Sequence, residues 1–252
     1  MYSQAWVQDL VGKIQDFMRD NTEWLGLDTT SKQRLLDYAC GHGTISLVRQ
    51  PHNSFVVVSL LTRLQALVEN RNLTFRGIDL HPKQVERYNN EAARLLGEEQ
   101  TRMLAVQGDL DNPSVELSGQ EWHNFDVAVF SMALHHVPEP VGMLSNLRKR
   151  LRPGGALVVV EWYEEGIGAD ETSGSDNLDR DDMIVVNKGE KIWAGFTPLG
   201  IDRLFERAGF AHVDVQKPDI SFQIPEEVSE KMSGKDKKLM FVKGVNASSE
   251  KP

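Results

Sequence analysis

The chain has 252 residues, and its 40% hydrophobic and 26% charged residues are an ordinary composition for a globular protein. Its formal net charge of -9 disfavours a nucleic-acid partner, because binding to phosphates depends on basic side chains that displace counterions. One cysteine, Cys40, allows neither an internal disulfide nor a cysteine zinc cluster, and no apolar run approaches the roughly 20 residues that span a bilayer, so we predict a cytoplasmic protein with no metal site.

The first predicted element is an amphipathic helix, because apolar residues recur at spacings of three to four: Trp6, Leu10, Ile14, Phe17 and Met18. Residues 1–30 are therefore predicted to cover the core. The apolar run from Leu35 to Ala39 follows and predicts a buried strand that ends in a tight turn.

Six more strands are predicted, near Leu73–Asp79, Met103–Gln107, Phe125–Phe130, Ala156–Trp162, Phe210–Gln216 and Leu239–Val242. Helical patterns separate most of these strands. The first helix begins at Pro82 and ends at Gly97. The second carries Val141, Leu144, Leu147 and Leu151 and is stopped by Pro153, Gly154 and Gly155. The third has Thr197 as its N-cap and Pro198 at its first position.

This alternation predicts a single α/β domain over residues 1–252, with a Rossmann-like, seven-stranded, mainly parallel sheet and helices on both faces. Ligands of such sheets bind beyond the carboxyl ends of the strands. Three stretches depart from the alternation: an atypical insertion at 49–72, a variable loop or lid at 163–196, and a polar tail at 246–252.

A glycine-containing turn follows the first strand, in Asp37-Tyr38-Ala39-Cys40-Gly41-His42-Gly43-Thr44. Glycines let the backbone approach a ligand closely, and the free amides of a following helix can bind a carboxylate. A tight strand-to-helix turn with no ligand explains the same residues, and His42 is interpreted as a turn residue.

Acidic side chains also follow the second and third strands. Asp79 can accept hydrogen bonds from two ribose hydroxyls, or it can cap the helix that begins near Pro82. Asp109 can accept a hydrogen bond from the exocyclic amine of an adenine that packs on Leu80 and Leu110, or it can cap a turn. Three acids at successive strand ends favour a nucleoside with a positive sulfonium over a pyrophosphate.

The ordered pattern resembles the class I S-adenosylmethionine-dependent methyltransferases, and in particular the branch around ubiquinone and menaquinone biosynthesis. Further matching stretches are Phe125-Asp126, Ser131 to Val137 and Leu151 to Gly155, while Ala39 stands where the family usually has its first glycine. The resemblance implies that S-adenosyl-L-methionine is the cofactor. It implies cofactor contacts from Asp37, Tyr38, Ala39, Gly41, Gly43, Asp79, Leu80, Gly108, Asp109, Leu110, Ser131 and Met132.

The expected reaction is methyl transfer to a small-molecule acceptor, with an oxygen, nitrogen or carbon nucleophile. His135 and His136 lie where the acceptor would meet the methyl group, so either could act as a base or contact the substrate, or one could only pack against the cofactor. The Asn-Pro-Pro-Tyr motif of amino-directed nucleic-acid methyltransferases is missing after the fourth strand. The pattern leaves the oligomeric state open.

Asp37 and Asp79 are 42 positions apart, whereas a dinucleotide-binding unit places its acid about 20 residues beyond the glycine turn. The excess lies between Arg49 and Asn72. It predicts either an elaborated, kinked helix or translated sequence from an unspliced intron. The insertion favours one alternative, a methyltransferase-like protein or impaired isoform that binds without turnover. A second alternative, an NAD(P)-dependent oxidoreductase, would also use a glycine turn and an acid at a strand end.

Overall fold

A computed structural model describes residues 3–28, 30–40, 70–163, 183–185, 191–193, 196–223 and 236–247. Its helices are α1 (Ser3–Asp20), α2 (Thr22–Leu25), α3 (Pro82–Leu96), α4 (Pro140–Arg148) and α5 (Pro198–Arg207). Its strands are β1 (Gln33–Tyr38), β2 (Leu73–Asp79), β3 (Met103–Gln107), β4 (Phe125–Ser131), β5 (Leu151–Tyr163), β6 (Met183–Val185), β7 (Lys191–Trp193), β8 (Ala211–Gln216), β9 (Ser221–Gln223) and β10 (Asp236–Val245).

The main sheet has the strand order β3-β2-β1-β4-β5-β10-β8, and the short strand β9 also pairs with β10. Strands β3, β2, β1, β4 and β5 run parallel, whereas β10 is antiparallel to β5, β8 and β9. The predicted mainly parallel sheet is confirmed, and the seven predicted strands form its continuous path, to which β9 adds an eighth strand. The extra strand β9 and the separate hairpin of β6 and β7 carry no sequence pattern that predicted them.

Side chains alternate across each strand, so apolar residues lie on both faces of the sheet, and helices bury them on each face. On one face, Leu35 and Val158 pack with residues of α1 and α3; on the other, Leu36 and Leu157 pack with residues of α4 and α5. The predicted helices on both faces are therefore confirmed. Within the described ranges, no helix is both long enough and apolar enough to cross a membrane.

The boundary between α4 and β5 differs from the prediction. Helix α4 ends at Arg148, so Leu151 belongs to the strand and does not extend the apolar stripe of the helix. Pro153, Gly154 and Gly155 likewise lie inside β5 and do not stop a helix. The reason is tertiary pairing, since Gly154 donates to the carbonyl of Asn246 at 2.7 Å and Gly155 accepts from the Asn246 amide at 2.8 Å.

The start of α5 follows the prediction closely. Thr197 has an extended backbone, and its Oγ1 accepts a hydrogen bond from the Gly200 amide at 2.9 Å. Pro198 occupies the first turn, where its missing N–H costs nothing. The predicted N-cap is confirmed.

Candidate functional site

The carboxyl ends of β1 to β4 lie along one edge of the sheet. Tyr38, the last residue of β1, pairs with Ile78 on one side and Phe130 on the other. Asp79, the last residue of β2, pairs with Gln107, the last residue of β3. The chain segments that leave these four strands are consequently neighbours, which brings the predicted site residues into one region.

The first two acids lie at adjacent strand ends and are both buried. Asp37 is close enough to Tyr88 of α3 to help raise the pKa of that fully buried phenol, although burial is the larger cause. Asp79 accepts a hydrogen bond from the His81 amide at 2.8 Å. This bond forms a turn in which His81, and not Asp79, is the N-cap of α3.

The segment after β3 folds back over the ends of β2 and β1. Gly108 donates to the Asp79 carbonyl at 2.9 Å, and Leu110 donates to the Tyr38 hydroxyl at 3.3 Å. Asp109 accepts from the Asp111 amide at 2.9 Å, so the predicted turn-capping role of Asp109 is present. One of its carboxylate oxygens is engaged in that turn, and a carboxylate offers two.

The Tyr38 hydroxyl lies within the electrostatic range of the carboxylates that surround it. Burial is the main cause that raises the pKa of this phenol, and the charges of Asp109, Asp111 and Asp79 raise it further. Burial also raises the pKa of the Asp111 carboxyl, with Asp109 contributing and a hydrogen bond from Asn146 opposing. The carboxylates that follow β2 and β3 therefore share one negative region around Tyr38.

The apolar side chains of the predicted cofactor site differ in their exposure to solvent. Leu80, directly after β2, is 56% exposed, so its side chain is free to contact a ligand. Leu110 is buried and packs in the core, as does Tyr38, whose ring contacts Phe130 edge-on at 5.2 Å. A Cβ on Gly108 would lie 2.6 Å from Leu117, so this glycine makes room for packing within the protein.

Two non-glycine residues at these strand ends adopt a left-handed backbone. Ala39 has φ 57° and Met132 has φ 52°. This conformation explains why a glycine is usual at the position of Ala39, and alanine adopts it at a cost of about 1 kcal/mol. Met132 is buried and donates to the Val160 carbonyl at 2.8 Å, which fixes the chain directly after the buried Ser131.

A buried histidine–glutamate pair lies beside these turns. His135 is 1% exposed, and its Nδ1 lies 3.0 Å from both carboxylate oxygens of Glu161, which is fully buried on β5. The His135 amide also donates to Glu161, at 3.3 Å. Since a carboxylate only accepts hydrogen bonds, Nδ1 carries a proton, and in the neutral form of the ring Nε2 is then the nitrogen with the lone pair. The Nε2 atom is buried with no partner among the described residues.

His136 has a different environment. Its ring centroid lies 4.1 Å from that of His135, and its own Nε2 is also buried without a partner in the described part of the chain. Burial, followed by the neighbouring His135, lowers the pKa of His136 to about 3. The ring is therefore neutral at physiological pH, and His135 has the geometry of a base whereas His136 lacks an orienting carboxylate.

Glu161 was missed by the sequence analysis. The signal was present, since Glu161 is the one charged residue in the apolar run from Ala156 to Trp162. An acid inside a buried strand needs a partner, because an unpaired buried charge is costly.

Several predicted residues lie outside the described ranges: Gly41, Gly43, His42, the insertion from 49 to 69 and most of the loop from 163 to 196. Trp162, Tyr163 and Phe196, which flank that loop, are buried in the core.

The charge of the site favours a ligand that donates hydrogen bonds and carries positive charge. Among the described residues that follow β1 to β4, at 38–40, 80–81, 108–111 and 132–137, none is lysine or arginine. The described residues there therefore offer a pyrophosphate, as in a nicotinamide dinucleotide, carboxylates and neither lysine nor arginine.

Comparisons with known proteins agree with this chemistry. A family profile described as a methyltransferase domain matches residues 10–215. An uncharacterized methyltransferase of Schizosaccharomyces pombe is 30% identical over 187 residues, which are 73% of this chain and 56% of that protein. The 2-methyl-6-phytyl-1,4-hydroquinone methyltransferase of Synechocystis is 27% identical over 158 residues, covering 62% of this chain and 41% of that protein. The chain thus spans about half the length of these relatives.

Among solved structures, phosphoethanolamine N-methyltransferase 2 of Haemonchus contortus in complex with S-adenosyl-L-methionine superposes with a TM-score of 0.54 at 12% identity. The match covers 92% of this chain and 53% of that one. At this identity the likeness concerns the fold.

Proposed function

Because this chain belongs to the methyltransferase-domain family, we propose that it binds S-adenosylmethionine and catalyses methyl transfer to a small-molecule acceptor. The observation that carries the proposal is that the turns holding Asp79 and Asp109 meet, since Gly108 donates to the Asp79 carbonyl and Leu110 donates to the Tyr38 hydroxyl. His135, which pairs with Glu161, follows β4 on the other side of β1. The acidic turns suit a cationic nucleoside, and the His135–Glu161 pair suits proton transfer.

The described residues fit the cofactor by their chemistry. Asp79 would accept the ribose hydroxyls, as strand-end acids do in nucleotide-binding sheets. Asp109 would accept the exocyclic amine of the adenine, and Leu80 would cover the ring. Asp37 adds negative charge at the neighbouring strand end, which favours a sulfonium. Gly41 and Gly43 are proposed to let the backbone approach the amino-acid end of the cofactor.

When bound, S-adenosylmethionine supplies a methyl group on a sulfonium that is already a good leaving group. The protein then has to align the nucleophile and exclude water. His135 accepts the acceptor's proton at Nε2, while Glu161 holds the Nδ1 proton and stabilises the imidazolium that forms. The burial of both side chains keeps water from competing for the proton.

The acceptor is proposed to be a small molecule with an ionisable O–H, N–H or activated C–H group. The net charge of -9 and the acidic strand ends oppose a nucleic-acid substrate. Because His135 is buried, the acceptor is proposed to present a small reactive group to it.

Binding of S-adenosylhomocysteine, measured by calorimetry, tests the cofactor site. Asp79→Asn keeps an oxygen for the His81 amide but removes the charge, so we expect its Kd to rise about 10- to 100-fold. Asp202→Asn on α5 removes one charge away from these strand ends and is expected to bind as the unaltered chain does. Equal affinity of the Asp79 variant would remove this residue from the site, and no binding by the unaltered chain would contradict the proposed function.

A further inference from the structure

Five aromatic rings form a continuous row from the N-terminal helix to the proposed base. Trp6 of α1 stacks on Phe222 of β9 with 6.3 Å between ring centroids, and Phe222 meets Trp162 at 6.3 Å. Trp162 in turn lies 4.1 Å from His135, which lies 4.1 Å from His136. We call these five residues the aromatic row.

The aromatic row holds an unusual share of unpaired polar atoms. In the described part of the chain, six buried side-chain nitrogen or oxygen atoms lack a hydrogen-bond partner, and three of them belong to this row. They are Trp6 Nε1, His135 Nε2 and His136 Nε2. Buried polar atoms without partners cost stability and are rare in native proteins, so three in one set of packed rings indicate a place where a ligand supplies the partners.

Two of these nitrogens, Trp6 Nε1 and His135 Nε2, define what the ligand must offer. An indole N–H only donates, so Trp6 requires an acceptor atom on the ligand. His135 Nε2, with its Nδ1 proton held by Glu161, accepts. A molecule that satisfies both must offer a proton at one end and an acceptor oxygen at the other. The rings between these ends favour a planar connecting group.

We infer that Trp6 is a specificity-determining residue whose indole N–H donates a hydrogen bond to an oxygen of the methyl acceptor, at the end remote from the nucleophile beside His135. This inference rests on the proposed function, because it places the acceptor along the aromatic row. Helix α1 then has two roles. It covers the core through Leu10 and Ile14, and through Trp6 it binds the acceptor.

A matched pair of probes tests the inference. Both 6-acetyl-2-naphthol and 6-ethyl-2-naphthol are planar and carry a phenol, but only the acetyl compound has a remote carbonyl oxygen. Binding of each is measured by calorimetry with the protein saturated in S-adenosylhomocysteine. We expect the acetyl compound to bind the unaltered chain about three- to tenfold more tightly, as for one hydrogen bond.

The variants isolate the indole donor. Trp6→Phe keeps an aromatic ring but removes the N–H, so we expect the preference for the acetyl compound to vanish while the ethyl compound binds as before. Trp6→Met also lacks the donor and replaces the phenylalanine variant if that one does not fold. Trp24→Phe is the matched control. The Trp24 indole lies in α2, outside the aromatic row, and donates to Asp214, so this variant should retain the preference for the acetyl compound.

The outcomes separate this inference from the proposed function. Equal binding of the two probes by the unaltered chain, no binding of either, or a preference that survives in both Trp6 variants would overturn the role of Trp6. If S-adenosylhomocysteine binds in the same experiments, the proposed function still stands. If it does not bind, both proposals fail together.

Discussion

Glu161 is the residue on which the chemistry of His135 depends, because its two oxygens fix which ring nitrogen carries the proton. Glu161→Gln removes the charge that stabilises the imidazolium, and His135→Asn removes the base. We expect either change to lower methyl transfer at least about 100-fold, the usual contribution of a general base.

Transfer of a radiolabelled methyl group from S-adenosylmethionine into a metabolite extract measures this prediction, with Glu206→Gln on α5 as the control. The affinity for S-adenosylhomocysteine should change less than twofold, which separates lost chemistry from a lost fold. Undiminished transfer in both variants would show that no base acts here. An unaltered chain that binds the cofactor without any transfer would favour the non-catalytic alternative.

His136 makes stability depend on pH in a defined window. Its folded pKa of about 3 lies below the ordinary value of about 6.5, so below pH 6.5 the unfolded chain binds a proton that the folded chain does not. The stabilisation is present above pH 6.5 and is lost as pH falls towards 3. Between pH 7 and 5 we expect the free energy of unfolding to drop by up to about 2 kcal/mol.

Urea unfolding at a series of pH values checks this window. In His136→Phe the ring is kept but cannot titrate, so most of the decrease between pH 7 and 5 should disappear. A variant whose unfolding free energy falls as steeply as that of the unaltered chain would contradict the assignment.

Single residues could be predicted where their role is local. Asp79 and Asp109 follow strands, and their turn bonds involve residues only two positions away, so the pattern exposes them. The contact between His135 and Glu161 joins residues 26 positions apart on two elements, and only the pairing of β4 with β5 brings them together. His135 was therefore among the predicted site residues, and its partner Glu161 was not.

Helix α5 shows that a strong local signal fixes an element boundary. The Thr197 side chain satisfies an amide that the helix would otherwise leave unpaired. Thr197→Ala should lower the free energy of unfolding by about 1 kcal/mol, whereas Thr197→Ser, which keeps the oxygen, should lower it by less. Urea unfolding of the two variants makes the comparison, and equal losses would argue against the cap.

Strand β5 shows the opposite case. Proline and two glycines locally favour the end of an element, yet Leu151 to Tyr163 form one strand because β4 and β10 pair with it on either side. Hydrogen bonds from distant residues such as Asn246 outweigh the local preference. A pattern restricted to neighbouring residues contains no information about such pairing.

The order of the strands explains how one sheet edge can hold both halves of the site. Strand β1 lies between β2 and β4, so Asp79 at the end of β2 and Asp109 after β3 lie on one side of β1, and the turn with His135 after β4 lies on the other. Alternating strands and helices predicted this class of sheet, since the topology follows from connection rules that apply to any such chain. The same rules do not specify the hairpin of β6 and β7 or strand β9, which depend on individual contacts.

We propose that the carboxyl ends of β1 to β4 bind a cationic nucleoside with its sulfur directed at His135. A crystal structure of the chain with S-adenosylhomocysteine tests this most directly. We expect ribose hydroxyls bonded to Asp79, the adenine between Leu80 and Asp109, and the sulfur on the side of His135 Nε2. A ligand bound elsewhere, or one whose sulfur faces away from the His135–Glu161 pair, would contradict it.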